Sequence, residues 1–200
     1  MKKTIITISR QYGSGGRKIA EALAKKLEIP LYDNEVISLA AKESGLNEKV
    51  FKNPDDVPSS NLLYSISMLG PTKEQYGIPL YEKIFMVQSD AMRALAQKGS
   101  CVMLGRCGDY VLKDVEDCTH IFICASLKER VKRAKEDYGL SEENIEKKVL
   151  NVDKRRETYY NYHTNQKWGY PSNYHLVINT DHLEINDIIK LIESYMELKK

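Results

Sequence analysis

The 200-residue sequence predicts an α/β fold in which a parallel sheet is covered by helices on both faces. Three observations carry that prediction. Strand-like and helix-like patterns alternate along the chain. Several apolar runs are continuous but short, as strands buried on both faces require. A glycine-rich turn, Gly13-Ser14-Gly15-Gly16, joins the first strand to the first helix.

The β-branched run Thr4 to Ile8 suits the first strand, and Ile19, Leu23 and Leu27 give the next segment one apolar helical face. Ile29 to Tyr32 reads as a short second strand ending at Asp33. Glu35 to Glu43 has helical spacing, and Gly45 to Pro79 is broken by turn chemistry at Asn53-Pro54-Asp55-Asp56, Pro58-Ser59-Ser60-Asn61 and Gly70-Pro71. A helix over Tyr81 to Gln97 ends before Gly99. Cys101 to Leu104 is a buried strand, and Gly105-Arg106 follows at its carboxyl end, where open α/β sheets bind ligands. Thr119 to Cys124 is another strand. Ser126-Leu127-Lys128-Glu129 is a capping box, and Ser141-Glu142-Glu143 opens a long helix with Ile145, Val149 and Val152 on one face. Leu176 to Asn179 and Leu183 to Leu198 supply a last strand and a last amphipathic helix.

The glycine turn has the chemistry of a phosphate cradle. Glycines let successive backbone N–H groups curl around an anion, and the following helix points its positive dipole end at the same place. Arg17 and Lys18 add two full charges there. Without an anion, each would oppose the dipole by about 0.3–1 kcal/mol. The turn matches neither G-x-x-x-x-G-K-[ST] nor G-x-G-x-x-G, because Gly16 is followed by Arg17-Lys18.

Composition sets the outer bounds. Hydrophobic content of 42%, charged content of 29% and a net charge of +2 describe an ordinary globular protein and exclude a strongly basic nucleic-acid binder. Cys101, Cys107, Cys118 and Cys124 form no C-x-x-C pair and read as reduced, mostly buried thiols. The four histidines lack metal-ligand spacing and read as packing or surface residues, so no metal site is predicted from a side-chain motif. No signal peptide or membrane-spanning stretch is recognisable. A cytoplasmic protein with no nucleic-acid or membrane partner is the expectation.

With these residues in view, the chain resembles the P-loop nucleoside monophosphate kinases, and within them the cytidylate kinase-like group. Ile5 to Asp33 aligns without gaps on the start of cytidylate kinases, where a G-P-S-G-A-G-K-G-T loop occupies the turn. Met92-Arg93 and Val102-Met103-Leu104-Gly105-Arg106 match a second block, and Ile121 to Arg130 a third. Lys167-Trp168-Gly169-Tyr170-Pro171-Ser172-Asn173-Tyr174 is similar to the cytidylate kinase-like subgroup. The resemblance implies a three-layer P-loop kinase fold in a single domain, 1–200, with a small acceptor-side insertion at about 45–80 and a helical lid at about 126–160.

It also implies roles. Gly13, Ser14, Gly15, Gly16, Arg17 and Lys18 would hold ATP phosphates, with Arg130, Arg133, Asn179 and Thr180 also on the ATP side. Asp33, Arg93, Arg106 and Asp109 would bind the acceptor, while Arg17, Lys18, Arg155 and Arg156 would stabilise transfer. ATP and Mg²⁺ are the implied cofactors and nucleotides the partners, with CMP or dCMP the leading acceptor. Three departures stand out: Gly16 occupies the loop-lysine slot, Leu39 an acceptor-arginine slot, and Cys107 the aspartate slot of G-R-D. They leave open a different small acceptor, or a nucleotide-binding regulator that keeps the fold.

Overall fold

The computed structural model describes residues 3–33, 80–138 and 144–199. The helix expected at Glu35 to Glu43, the Gly45 to Pro79 region and the Ser141-Glu142-Glu143 helix start lie outside them. Five strands, β1 (Ile5–Arg10), β2 (Leu31–Tyr32), β3 (Cys101–Leu104), β4 (Cys118–Cys124) and β5 (Leu176–Asn179), form one sheet in the order β2-β3-β1-β4-β5. Every pairing is parallel, with Ile6 opposite Val102 on one side and Thr119 on the other. Helices α1 (Gly16–Leu27), α2 (Leu80–Lys98), α3 (Gly108–Val111), α4 (Leu127–Tyr138), α5 (Ile145–Thr164) and α6 (Ile185–Leu198) complete the described fold, with a 3₁₀ turn at Pro171–Asn173.

Alternation along β1 decides which helix covers which face. Ile6 and Ile8 join Val102, Leu104, Ile121 and Ile123 against Ile19, Ala20 and Leu23 of α1 and Ile188, Ile189 and Ile192 of α6. Ile5 points the other way, joining Cys101, Met103 and Cys118 against Met92 and Leu95 of α2 and Val111 of α3. Helices therefore cover both faces, the three-layer arrangement that the alternating pattern predicts. A third cluster, Ala134, Ile145 and Val149 with Tyr12 packed on it, joins α4 and α5 to the turn after β1.

Chain-terminating chemistry explains where the observed bounds differ from the sequence reading. Strand β2 is shorter than the expected Ile29 to Tyr32 because Pro30 offers only its carbonyl, which accepts from Val102 N at 2.9 Å. Helix α1 stops at Glu28, whose left-handed backbone (φ 53°) lets Ile29 N reach Ala24 O at 3.0 Å. The last helix starts at Ile185, two residues later than expected, after a turn through His182 at φ 60°. Helix α3 and the 3₁₀ turn carry no periodic signal, being three or four residues long. All four cysteines are free thiols, and Cys101, Cys107 and Cys118 are buried.

Leu23 is fully buried between α1, the sheet and α6. Leu23→Ala is expected to cost about 2–5 kcal/mol in urea unfolding, with an unchanged m-value. A cost below about 1 kcal/mol would mean that the α1 face is not core.

Candidate active site

The turn after β1 is shaped by glycine backbone and held from behind by charge. Gly13 (φ 75°) and Gly15 (φ 81°) take left-handed conformations that other residues adopt only with strain. Ser14 is fully buried, and its Oγ donates back to Gln11 O at 2.8 Å. Gln11 accepts Ala125 N on its side-chain oxygen, while its own N–H donates to Ile123 O. Tyr12 N donates to Asp153 Oδ1 at 2.7 Å. The other carboxylate oxygen of Asp153 pairs with Arg130, which also donates to Ala125 O at 3.2 Å and Tyr12 O at 3.4 Å. Burial pushes the Asp153 carboxyl up, while the Tyr12 N–H, Arg130 and Arg156 pull it back.

A second clamp works at the far end of the turn. Arg133 donates to Ser14 O at 3.2 Å and to Thr180 Oγ1 and O at 2.7 and 2.9 Å. Thr180 Oγ1 in turn donates to Ser14 O at 2.9 Å. Asn179 is exposed beside them and accepts Asp181 N on its side chain. Arg17 and Lys18 are exposed on the first turn of α1, and Arg17 pairs with Glu21 at 3.1 Å and Asp33 at 3.0 Å.

Beside this turn, at the carboxyl ends of β1, β2 and β3, lies a cleft that contains Arg10, Asp33, Arg106 and Arg156. Its walls include Tyr159, Tyr160 and Trp168. Arg156 Nη1 donates to Arg10 O at 3.0 Å. The Nε atoms of Arg155 and Arg156 are buried without a hydrogen-bond partner. Arg106 and Cys107 both have left-handed backbones, φ 55° and 54°, directly after Gly105. Such strain costs about 1–3 kcal/mol per residue and collects where a chain must present a side chain precisely. Burial and Asp109 push the Cys107 thiol up, so it stays protonated and is no nucleophile. A larger cleft lined by Lys3, Ser100, Asp117 and Glu193 opens at the amino ends of the strands, the end that parallel sheets do not use for ligands.

The sequence-predicted residues thus divide into groups. Gly13 to Gly16, Arg133 and Thr180 meet at the turn, with Asn179 next to Thr180; Asp33, Arg106 and Arg156 meet in the cleft; Arg17 joins the two through its pair with Asp33, and Lys18 is exposed on α1. Arg130 sits behind the turn, its guanidinium turned to Asp153. Arg93 is not brought to the cleft: it is exposed on α2, pairs with Asp90 at 3.1 Å and neighbours Lys3 and Tyr110. Asp109 lies buried beside the cleft, accepting Tyr160 OH at 2.5 Å and Ser9 Oγ at 3.4 Å. Arg10 is not among the residues the sequence singles out, yet it ends a central strand just as Arg106 follows one, and the same rule applies to it.

A parallel sheet of this order, with a glycine turn leading from the central strand into a helix start, defines a P-loop kinase-type α/β fold. The chain belongs to the cytidylate kinase-like family, whose sequence profile matches residues 5–182. A crystal structure of an uncharacterized protein from Eubacterium ventriosum superimposes with a TM-score of 0.73 at 25% identity, covering 98% of this chain and 99% of that one. Shikimate kinase from Acinetobacter baumannii, solved in complex with shikimate, gives a TM-score of 0.53 at 14% identity over 100% of this chain and 96% of that one, a likeness of fold. A curated relative, uronate isomerase from Corynebacterium glutamicum, is 37% identical over 109 residues, 53% of this chain. The chain spans only 20% of that relative's length. Among the described residues no helix is long and apolar enough to cross a membrane.

Asp109 supplies a pH test of this arrangement. Burial raises its carboxyl from 3.8 to about 6, against the lowering effect of Tyr160, its backbone N–H and Ser9. An acid raised in this way stabilises the fold fully below its unfolded value and loses that contribution as pH rises through about 6. Wild type is expected to lose roughly 2–3 kcal/mol relative to Asp109→Asn between pH 4 and 7, measured by denaturant unfolding. Parallel pH profiles for the two proteins would contradict it.

Proposed function

We propose that this protein transfers the terminal phosphoryl group of ATP to a small anionic acceptor, a nucleoside monophosphate with CMP or dCMP leading. The observation that carries this reading is convergence: Arg10, Arg106 and Arg156 come from three separate elements to one cleft beside the glycine turn. Phosphoryl transfer asks mainly for positioning and neutralisation of charge, which such a cleft can provide. In this reading Gly13 to Gly16 hold the donor phosphates, with Arg17 and Lys18 at their edge. Arg133, Asn179 and Thr180 border the donor. Asp33, Arg106 and the neighbouring Asp109 serve the acceptor side, and Arg155 and Arg156, on α5, neutralise the transferred group.

The acceptor oxygen bonds to the γ-phosphorus, the bond from that phosphorus to its bridging oxygen breaks, and the electron pair leaves with ADP. Among the described residues no three His, Cys, Asp or Glu gather as a metal site. Lys18 stands where the loop pattern has a hydroxyl, and the hydroxyl of Ser14 is spent on Gln11 O. These residues do not fit a protein-held metal, so Mg²⁺ in this reading arrives on the donor's phosphates and no step is built on it. A second reading, a nucleotide-binding regulator, draws support from Gly16 in the lysine slot and from Arg17 being paired to Asp33.

Two measurements test the reading. ATP-Mg²⁺ is expected to raise the melting temperature, and Gly15→Val to abolish that shift, because valine at φ 81° distorts the cradle. In a coupled ADP-release assay over nucleoside monophosphates, Arg106→Ala is expected to raise the acceptor KM at least tenfold. Binding of ATP with no turnover on any acceptor would replace the kinase by the regulator, and no binding would remove both.

A further inference from the structure

We infer that Arg10 supplies, from the end of β1, the phosphate-bridging charge that a lysine supplies from the helix start in G-x-x-x-x-G-K-[ST] loops. This rests on the phosphotransfer reading above and names a catalytic residue for it. The first observation is that Gly16 is not a glycine for backbone reasons. It lies in the first turn of α1 and lacks the left-handed φ of Gly13 and Gly15. A Cβ at Gly16 would instead lie 2.6 Å from Arg10 Cβ, 3.0 Å from Arg10 Cγ and 3.4 Å from Ile123 Cβ. The atom it would strike first is the root of the Arg10 side chain, which cannot move without moving β1. The stem of Arg10 therefore fills the space that a lysine at position 16 would need, and the two cations exclude one another.

The second observation concerns the other end of the same side chain. A Cβ at Gly105 would collide with Arg10 Nη1, so the guanidinium lies against the turn that carries Arg106. One arginine thus passes from Gly16, at the donor turn, to Gly105, at the acceptor cleft. The hydrogen bond from Arg156 to the Arg10 carbonyl fixes the strand end from which it starts. Its planar fork can contact two oxygens of the phosphoryl group in transit, a contact that a compact ammonium makes differently. Arg10 keeps its protons throughout. It neutralises charge as the γ-phosphorus passes from the ADP oxygen to the acceptor oxygen.

Four proteins test the exchange: wild type, Arg10→Ala, Gly16→Lys, and the double variant Arg10→Gly/Gly16→Lys. Inorganic tripolyphosphate serves as the probe in calorimetry, with ATP and the panel of nucleoside monophosphates in the turnover assay. Arg10→Ala is expected to weaken tripolyphosphate binding at least tenfold and to lower turnover by about 10³-fold or more. Gly16→Lys alone is expected to lower the melting temperature, and the double variant to recover both that temperature and tripolyphosphate affinity within a few-fold. The milder Gly16→Ala, destabilising beside Arg10 and tolerated beside Arg10→Gly, which alone removes the Cβ that position 16 would strike, reads the same steric exclusion should Gly16→Lys fail to fold. Tripolyphosphate binding that is absent in wild type, or unchanged in Arg10→Ala, overturns the inference. So does turnover that survives Arg10→Ala. Binding that follows Arg10 while no monophosphate is phosphorylated upholds Arg10 and removes the kinase reading instead.

Discussion

The buried pairing of Arg130 with Asp153 is the interaction on which the site depends. Both side chains are almost wholly withdrawn from water, at 7% and 12% exposure, and each is committed to the turn after β1 as well as to its partner. Asp153 takes the Tyr12 N–H, and Arg130 donates to the Tyr12 carbonyl. An ion pair of this kind adds little net stability over well-packed apolar residues, because desolvation offsets the Coulombic gain. What it adds here is direction. It fixes the two peptide groups that flank Tyr12 relative to α4 and α5, and removing one partner would strand the other charge at a cost of about 3–5 kcal/mol.

From that anchor the layout of charge follows. The carbonyls of the turn are occupied from behind by Arg130, Arg133 and Thr180. Two of the arginines that a sequence reading assigns to ATP are therefore partly or wholly engaged in building the turn. The cations that line the cleft come instead from strand ends and from α5: Arg10, Arg106 and Arg156. The division has a physical logic. Arg130 and Arg133, each bound to several protein acceptors, make rigid supports, whereas Arg10, Arg106 and Arg156 line the cleft itself.

The fold was legible because its signals are local. Short apolar runs such as Cys101 to Leu104, the four-residue recurrence of Ile19, Leu23 and Leu27, and the glycine turn each specify a piece of backbone without tertiary information. The glycine turn and Arg106 were placed by the same means, since a topology rule says which strand ends face ligand. What sequence could not give is the direction in which a helical side chain points. Arg93 and Arg130 carry the same charge as Arg156, yet α2 turns Arg93 to solvent and α4 turns Arg130 toward Asp153. Arg10 carries no sequence signal because the apolar run of the first strand ends at Ile8, two residues before it, and its relation to Gly16 exists only in three dimensions. The short α3, which presents Asp109 to Tyr160, leaves no periodic trace in four residues.

The central claim is that the turn after β1 and the neighbouring cleft form one phosphate-handling site at the carboxyl ends of the strands. Amide-resolved NMR during titration with ATP measures this directly. The largest shifts are expected at Gly13, Ser14, Gly15 and Gly16, with smaller ones at Gly105 and Arg106. Shifts confined to the amino-end cleft around Lys3, Ser100 and Glu193, with the glycine turn unmoved, would contradict it.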